Sequence, residues 1–121
     1  MNWLYVFIGG GLGSMARYWI GHLLKDLRCS LPVSTLTANL FAALMIGVLY
    51  FSGVKTRQEQ WWLLLASGFC GGLSTFSAFS LETLELFRSG SYMVAVLNIV
   101  LSVTCCLLLI WALSFMIKQN G

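Results

Sequence analysis

The residues best equipped for chemistry lie in one stretch, Gly68-Phe69-Cys70-Gly71-Gly72-Leu73-Ser74-Thr75-Phe76-Ser77-Ala78-Phe79-Ser80. Glycine costs a helix interior about 1 kcal/mol relative to alanine, so Gly68, Gly71 and Gly72 predict a helix broken near Gly71–Ser74. The surrounding sequence is apolar. A break there frees backbone amides and carbonyls, which survive only when buried in protein, lining a cavity or holding an ion. The plainer use of the glycines is a small-residue face for helix packing. The hydroxyls of Ser74, Thr75, Ser77 and Ser80 tip the balance, with Phe76 and Phe79 three apart on one helical face. Together they predict an ion site followed by a polar track flanked by aromatic rings.

Other polar side chains sit in apolar surroundings. Thr35, Asn39, Ala43 and Gly47 recur every four residues and share a helical face. Asn39 either makes an interhelical hydrogen bond, worth about 1 kcal/mol, or offers its NH₂ as a neutral donor pair to an anion. Asn98 and Ser102 are likewise four apart, with Cys105 and Cys106 beyond them. Gly9, Gly13 and Arg17 form a face that is small, small, then cationic. Arg17 can snorkel to the interface or draw anions into a vestibule. Gly11-x-Gly13-x-x-Ala16 matches the dinucleotide fingerprint only formally, because a further apolar segment follows where a βαβ unit would be needed. His22 has no ligand partner at metal-binding spacing, and no Cys-x-x-Cys pair occurs. Cys70, Cys105 and Cys106 fall in apolar segments, where thiols behave as small hydrophobes.

The elements that must position these residues are membrane helices. The chain is 121 residues long, 59% hydrophobic and 9% charged, against roughly 25% charged in ordinary soluble domains. Such an inventory cannot build a water-exposed surface. Four apolar segments, 3–24, 33–54, 61–87 and 92–117, each reach the ~20 residues needed to cross a bilayer core. They form one domain, 1–121, of all-α membrane type. Pro32 stands at the entrance to the second segment, where its missing N–H is tolerated. Trp3, Trp61, Trp62 and Tyr92 mark interfacial ends. The first segment lacks a basic n-region and a clear cleavage site, so it reads as a retained helix.

With four spans, Lys55, Arg57 and Lys118 fall on one side, while Lys25, Arg28 and Arg88 fall on the other with Arg17 near them. Basic loops normally set orientation. Near-equality permits insertion both ways, and hence an antiparallel dimer of identical chains. Glu82 and Glu85 lie late in the third segment, close to Arg88, where they can pair with it or reach the interface. No carboxylate is read in mid-span, where a proton-coupled cation exporter is expected to carry one. Neutral donors without carboxylates favour an anion path.

The chain resembles the CrcB/Fluc family of fluoride channels over essentially its whole length. The resemblance rests on Gly9-Gly10-Gly11-Leu12-Gly13-Ser14-Met15-Ala16-Arg17-Tyr18, Thr35-Leu36-Thr37-Ala38-Asn39 and the stretch from Gly68 to Ser80. It implies a dual-topology antiparallel homodimer in the plasma membrane, multi-pass, with two fluoride pathways beside a central sodium ion. Backbone carbonyls of Gly71 and Ser74 from both subunits would hold the sodium, four dipoles replacing its hydration. Phe76 and Phe79 would line the pathways, presenting positive ring edges to the anion. Asn39 would donate to fluoride, with Thr75, Ser77, Ser80 and Ser102 as further candidates, and Arg17 would lie near an entrance.

Three departures from the family pattern stand out. Ser74 replaces a common threonine, Ala78 replaces a hydroxyl residue, and Asn98 stands where many members have tyrosine. The expected function is passive export of cytoplasmic fluoride, with no enzyme chemistry and no nucleic-acid partner. The competing classes are a dual-topology proton-coupled small-molecule exporter and a non-transporting assembly factor.

Overall fold

A computed structural model describes residues 2–26 and 32–117, and these are all-helical apart from turns. Helix α1 (Asn2–Leu23) is followed by α2 (Val33–Phe51) and two short helices, α3 (Val54–Arg57) and α4 (Glu59–Trp62). From α4 the chain runs without a break into a π-helical stretch, Leu63–Cys70, and then into α5 (Gly71–Leu73). Helices α6 (Phe76–Arg88) and α7 (Tyr92–Met116) complete the fold.

Among the described residues, three units are long and apolar enough to cross a membrane: Val33–Phe51, Glu59–Arg88 and Tyr92–Met116. Helix α1 has 22 residues, but its glycines, Arg17 and His22 make it less apolar. The outer surface is rich in exposed large side chains such as Trp3, Phe7, Leu107, Trp111 and Phe115. Water would not support that surface; lipid does.

The second segment stops earlier than expected. Helix α2 closes at Phe51, and Gly53 adopts φ +82°, a left-handed turn that glycine enters freely. Lys55 and Arg57 are helical rather than looped, within α3. Thr56 Oγ1 there donates to Gly53 O at 3.1 Å, and Lys55 Nζ lies 5.6 Å from the Trp62 ring centroid. Arg28 and Lys118, used above in the loop readings, lie outside the described residues.

The glycines are used for close approach. A Cβ on Gly68 would meet Gly9 Cα at 2.8 Å, and one on Gly13 would meet Leu73 N at 2.8 Å. One on Gly72 would meet the backbone of Gly10 and Ser14. Helix α1 therefore packs backbone to backbone against the π-helical stretch and α5, as small residues at membrane helix interfaces allow. Behind this seam Ala38, Ala42, Cys70 and Leu73 form the buried core, with Ala16, Ile20 and Phe69 packed on it. Gly47 admits the Leu113 side chain, seating α7 on α2.

Candidate functional site

The predicted break exists, but glycine does not make it. Gly71 is helical, at φ −64° and ψ −34°. The chain leaves the helix at Ser74 (φ −82°, ψ 152°) and Thr75 (φ −150°, ψ 123°), both extended, and re-enters at Phe76. Serine and threonine side chains offer the local backbone bonds that compete with a helix, and both do so here. Ser74 Oγ donates to Cys70 O at 2.8 Å. Thr75 caps α6, its Oγ1 accepting from Ala78 N at 3.2 Å.

Asn39 completes the cap from a different helix. Its Oδ1 accepts the Thr75 N–H at 3.1 Å. A continuous helix would send that N–H to Gly71 O, so the Gly71 carbonyl is released from the ladder. The same bond fixes the amide orientation, because only oxygen can accept there. The Nδ2 end is thereby left as a donor. A single side chain joins α2 to the break and keeps an NH₂ for a ligand.

These groups surround one cavity of about 460 Å³. Asn39, Gly71, Ser74, Thr75, Phe76, Phe79 and Ser102 all line it. The Phe76 and Phe79 ring centroids are 5.8 Å apart, with planes inclined at 48°. The Ser102 Oγ is buried with no hydrogen-bond partner among the described residues. A buried orphan hydroxyl costs free energy unless something bonds to it, and this one belongs to a residue of the cavity wall. No carboxylate lines this cavity among the described residues. Polar donors are set in apolar walls, a pattern that fixes a small polar ligand.

The other sequence candidates fall elsewhere. Ser77 Oγ is 3.0 Å from Thr75 Oγ1, and Ser80 is exposed on α6; neither lines the cavity. Arg17 neither snorkels free nor stands alone: its Nε donates to Gly72 O at 3.3 Å. That carbonyl lies in the last helical turn before the break, where a cation is favoured. Arg17 also lines a second cavity of about 400 Å³, together with His22, Lys25, Thr35, Ala78 and Glu82. The pairing expected between Glu82 and Arg88 is replaced by another, in which the Thr35 hydroxyl donates to Glu82 Oε1. Asn98, 1% exposed, donates from Nδ2 to Thr83 Oγ1 at 3.0 Å. Its role is to tie α7 to α6.

Among the lining residues that sequence reasoning did not assign to the site are Cys70 and Cys106. The signal was present in both cases. Cys106 lies four residues after Ser102, and Cys70 four before Ser74, each one helical turn from a residue already singled out.

Comparison with known proteins follows the same residues. The family model described as CrcB-like protein, Camphor Resistance (CrcB), matches residues 4–113. A protein of Pyrococcus abyssi named fluoride-specific ion channel FluC is 43% identical over 120 residues, covering 97% of this chain and 95% of its own. A Pyrococcus furiosus protein of the same name is 45% identical over 118 residues, covering 95% and 94%. A third, from Klebsiella pneumoniae, is 43% identical over 99 residues, covering 80% and 78%. Matched along most of its length, this chain belongs to the CrcB-like family.

Proposed function

We propose that the chain is a fluoride channel of the plasma membrane, letting cytoplasmic fluoride leave passively down its gradient. It is a multi-pass membrane protein and not an enzyme. The observation that carries the reading is the Asn39 cap, which leaves a neutral NH₂ as donor on a residue lining a cavity where, among the described residues, the Ser102 hydroxyl has no partner. Fluoride holds water tightly, so its path must offer replacement donors. Asn39 Nδ2, the Thr75 and Ser102 hydroxyls and the Phe76 and Ser77 N–H groups at the start of α6 are such donors. Phe76 and Phe79 add positive ring edges without a full charge that would trap the anion. Among the described residues no carboxylate lines the cavity, which speaks against proton-coupled cation export. Relatives similar along nearly the whole chain bear the name fluoride-specific ion channel.

In this reading α1 joins the three apolar units as a fourth span of one domain, and two chains pair antiparallel. Three features favour the pairing. Phe76 is 80% exposed, a Cβ on Gly71 would meet nothing within 4 Å, and basic residues divide almost evenly between the two sides. A face carrying a released carbonyl and a bare aromatic ring is suited to a second copy. Sodium fits the oxygens available there, namely the carbonyls of Gly71 and Ser74. Neutral carbonyl dipoles replace the hydration of such a cation. Bound sodium would supply a fixed positive charge between the two subunits. Ser77 and Ser80 extend the donor series along α6, outside the cavity.

The test is fluoride efflux from liposomes containing the purified protein, read with a fluoride electrode beside a chloride electrode. Fast fluoride release with little chloride release is the expected result. Equal release of both ions, or none from folded protein, would overturn the reading.

A further inference from the structure

Two adjacent cysteines of α7 face different surroundings. Cys105 lies in an apolar groove with Thr37, Leu108 and other α2 and α7 side chains. Cys106 lines the polar cavity, as does Cys70 from the π-helical stretch. The Cys106 Sγ–H donates weakly to Asn39 O at 3.8 Å, and its side chain is partly exposed. Cys70, at 3% exposure, stands deeper in the wall.

We infer that Cys106 is a binding site for soft, thiophilic metal cations, and that a cation held there obstructs the polar cavity. Three observations converge on it. Two sulfurs line one cavity, and sulfur selects soft metals over the hard cations that carbonyl oxygens hold. The Ser102 Oγ, buried and unpartnered, lies one helical turn before Cys106 on the same wall. The Cys106 thiol touches the backbone of Asn39, the residue that caps the break. Buried structural thiols are usually inert, but this one opens on a cavity of about 460 Å³, roomy enough for a small organomercurial. The obstruction half of the inference rests on the channel reading; the binding half does not.

With methylmercury chloride as the probe, the sulfur electron pair forms the S–Hg bond. The S–H and Hg–Cl bonds break, a proton goes to water, and chloride leaves. Nothing is oxidised or reduced. The experiment treats the purified protein in liposomes with methylmercury chloride and follows two readouts. Peptide mapping by mass spectrometry locates the adduct, and the fluoride electrode follows efflux before and after treatment and again after excess dithiothreitol.

The expected result is an adduct at Cys106, loss of fluoride efflux, and recovery with dithiothreitol. Cys105→Ser should keep both its flux and its sensitivity, whereas Cys106→Ser should lose sensitivity. Absence of a Cys106 adduct overturns the site. Undiminished flux through adducted protein, or unchanged sensitivity in Cys106→Ser, overturns the obstruction. Protein that never conducts fluoride removes the channel reading, and the mapping then decides the metal site by itself.

Discussion

Asn39 is the residue on which structure and transport can be separated. Its Oδ1 holds the Thr75 N–H at 3.1 Å, and its Nδ2 remains free to donate. Asn39→Ala removes both ends. The Thr75 N–H then loses its partner beside a largely apolar cavity, at a cost of about 1–3 kcal/mol for an unsatisfied group. Set against a broken helix that must hold one shape, this shifts the equilibrium towards other backbone arrangements by roughly 5- to 150-fold. Asn39→Asp is the discriminating partner variant. It keeps the acceptor oxygen and the cap, but replaces the donor with a second acceptor that repels anions. The expected outcome is a lowered thermal midpoint for both variants, through the lost cap in Asn39→Ala and through the desolvated carboxylate in Asn39→Asp, and loss of fluoride efflux in both. Stability is read from thermal unfolding in detergent and efflux from liposomes. Wild-type efflux in Asn39→Asp would refute the donor role. Wild-type stability in Asn39→Ala would refute the cap.

Other expectations follow from the same geometry. Gly13→Ala should destabilise by about 1–3 kcal/mol, the usual scale for overpacking, because its Cβ would meet backbone at Phe69 and Leu73. Gly11→Ala, with nothing within 4 Å of the new Cβ, should leave stability unchanged or raise it by up to about 1 kcal/mol; thermal unfolding of the pair checks both. Phe76→Ile and Phe79→Ile should sharply reduce fluoride efflux while leaving the proposed dimer unchanged by size-exclusion chromatography. Asn98→Ala removes the bond to Thr83 and should cost about 0.6–1.7 kcal/mol, the range for interhelical hydrogen bonds in membranes. The protein that remains folded should conduct normally, because Asn98 does not line the cavity.

Much of the architecture could be read from patterning. Three of the apolar segments coincide with helical units long and apolar enough to cross a membrane, Val33–Phe51, Glu59–Arg88 and Tyr92–Met116, because the bilayer imposes length directly on sequence. The face of Thr35, Asn39, Ala43 and Gly47 does turn inward, each residue meeting α6, α7 or the cavity. Local backbone chemistry was harder to read. Composition alone attributed the break to the glycines, yet Gly68 and Gly72 are spent on the α1 seam, and the interruption lies at Ser74 and Thr75. A threonine positioned to accept from the amide three residues on is an N-cap signal, and it marked α6 more sharply than glycine content did. Partners remote in sequence were less accessible. Nothing local to Glu82 points to Thr35, 47 residues away. Nor does anything local to Arg17 point to Gly72 O. The π-helical turns of Leu63–Cys70 also carry no distinguishing composition.

One physical constraint ties these misses together. A break in a membrane helix is permitted only if each freed group finds a partner, so locating the break amounts to finding those partners. Gly72 O takes Arg17 and the Thr75 N–H takes Asn39, while Cys70 O keeps its helical bond from the Ser74 N–H and gains the Ser74 hydroxyl. The partners come from α1, from the broken helix itself and from α2. The Gly71 carbonyl, released when Asn39 takes the Thr75 N–H, lies on the face that remains open. A break stabilised on three sides and open on the fourth invites an outside ligand there. That asymmetry is why the sodium ion and the second copy are proposed for the same face.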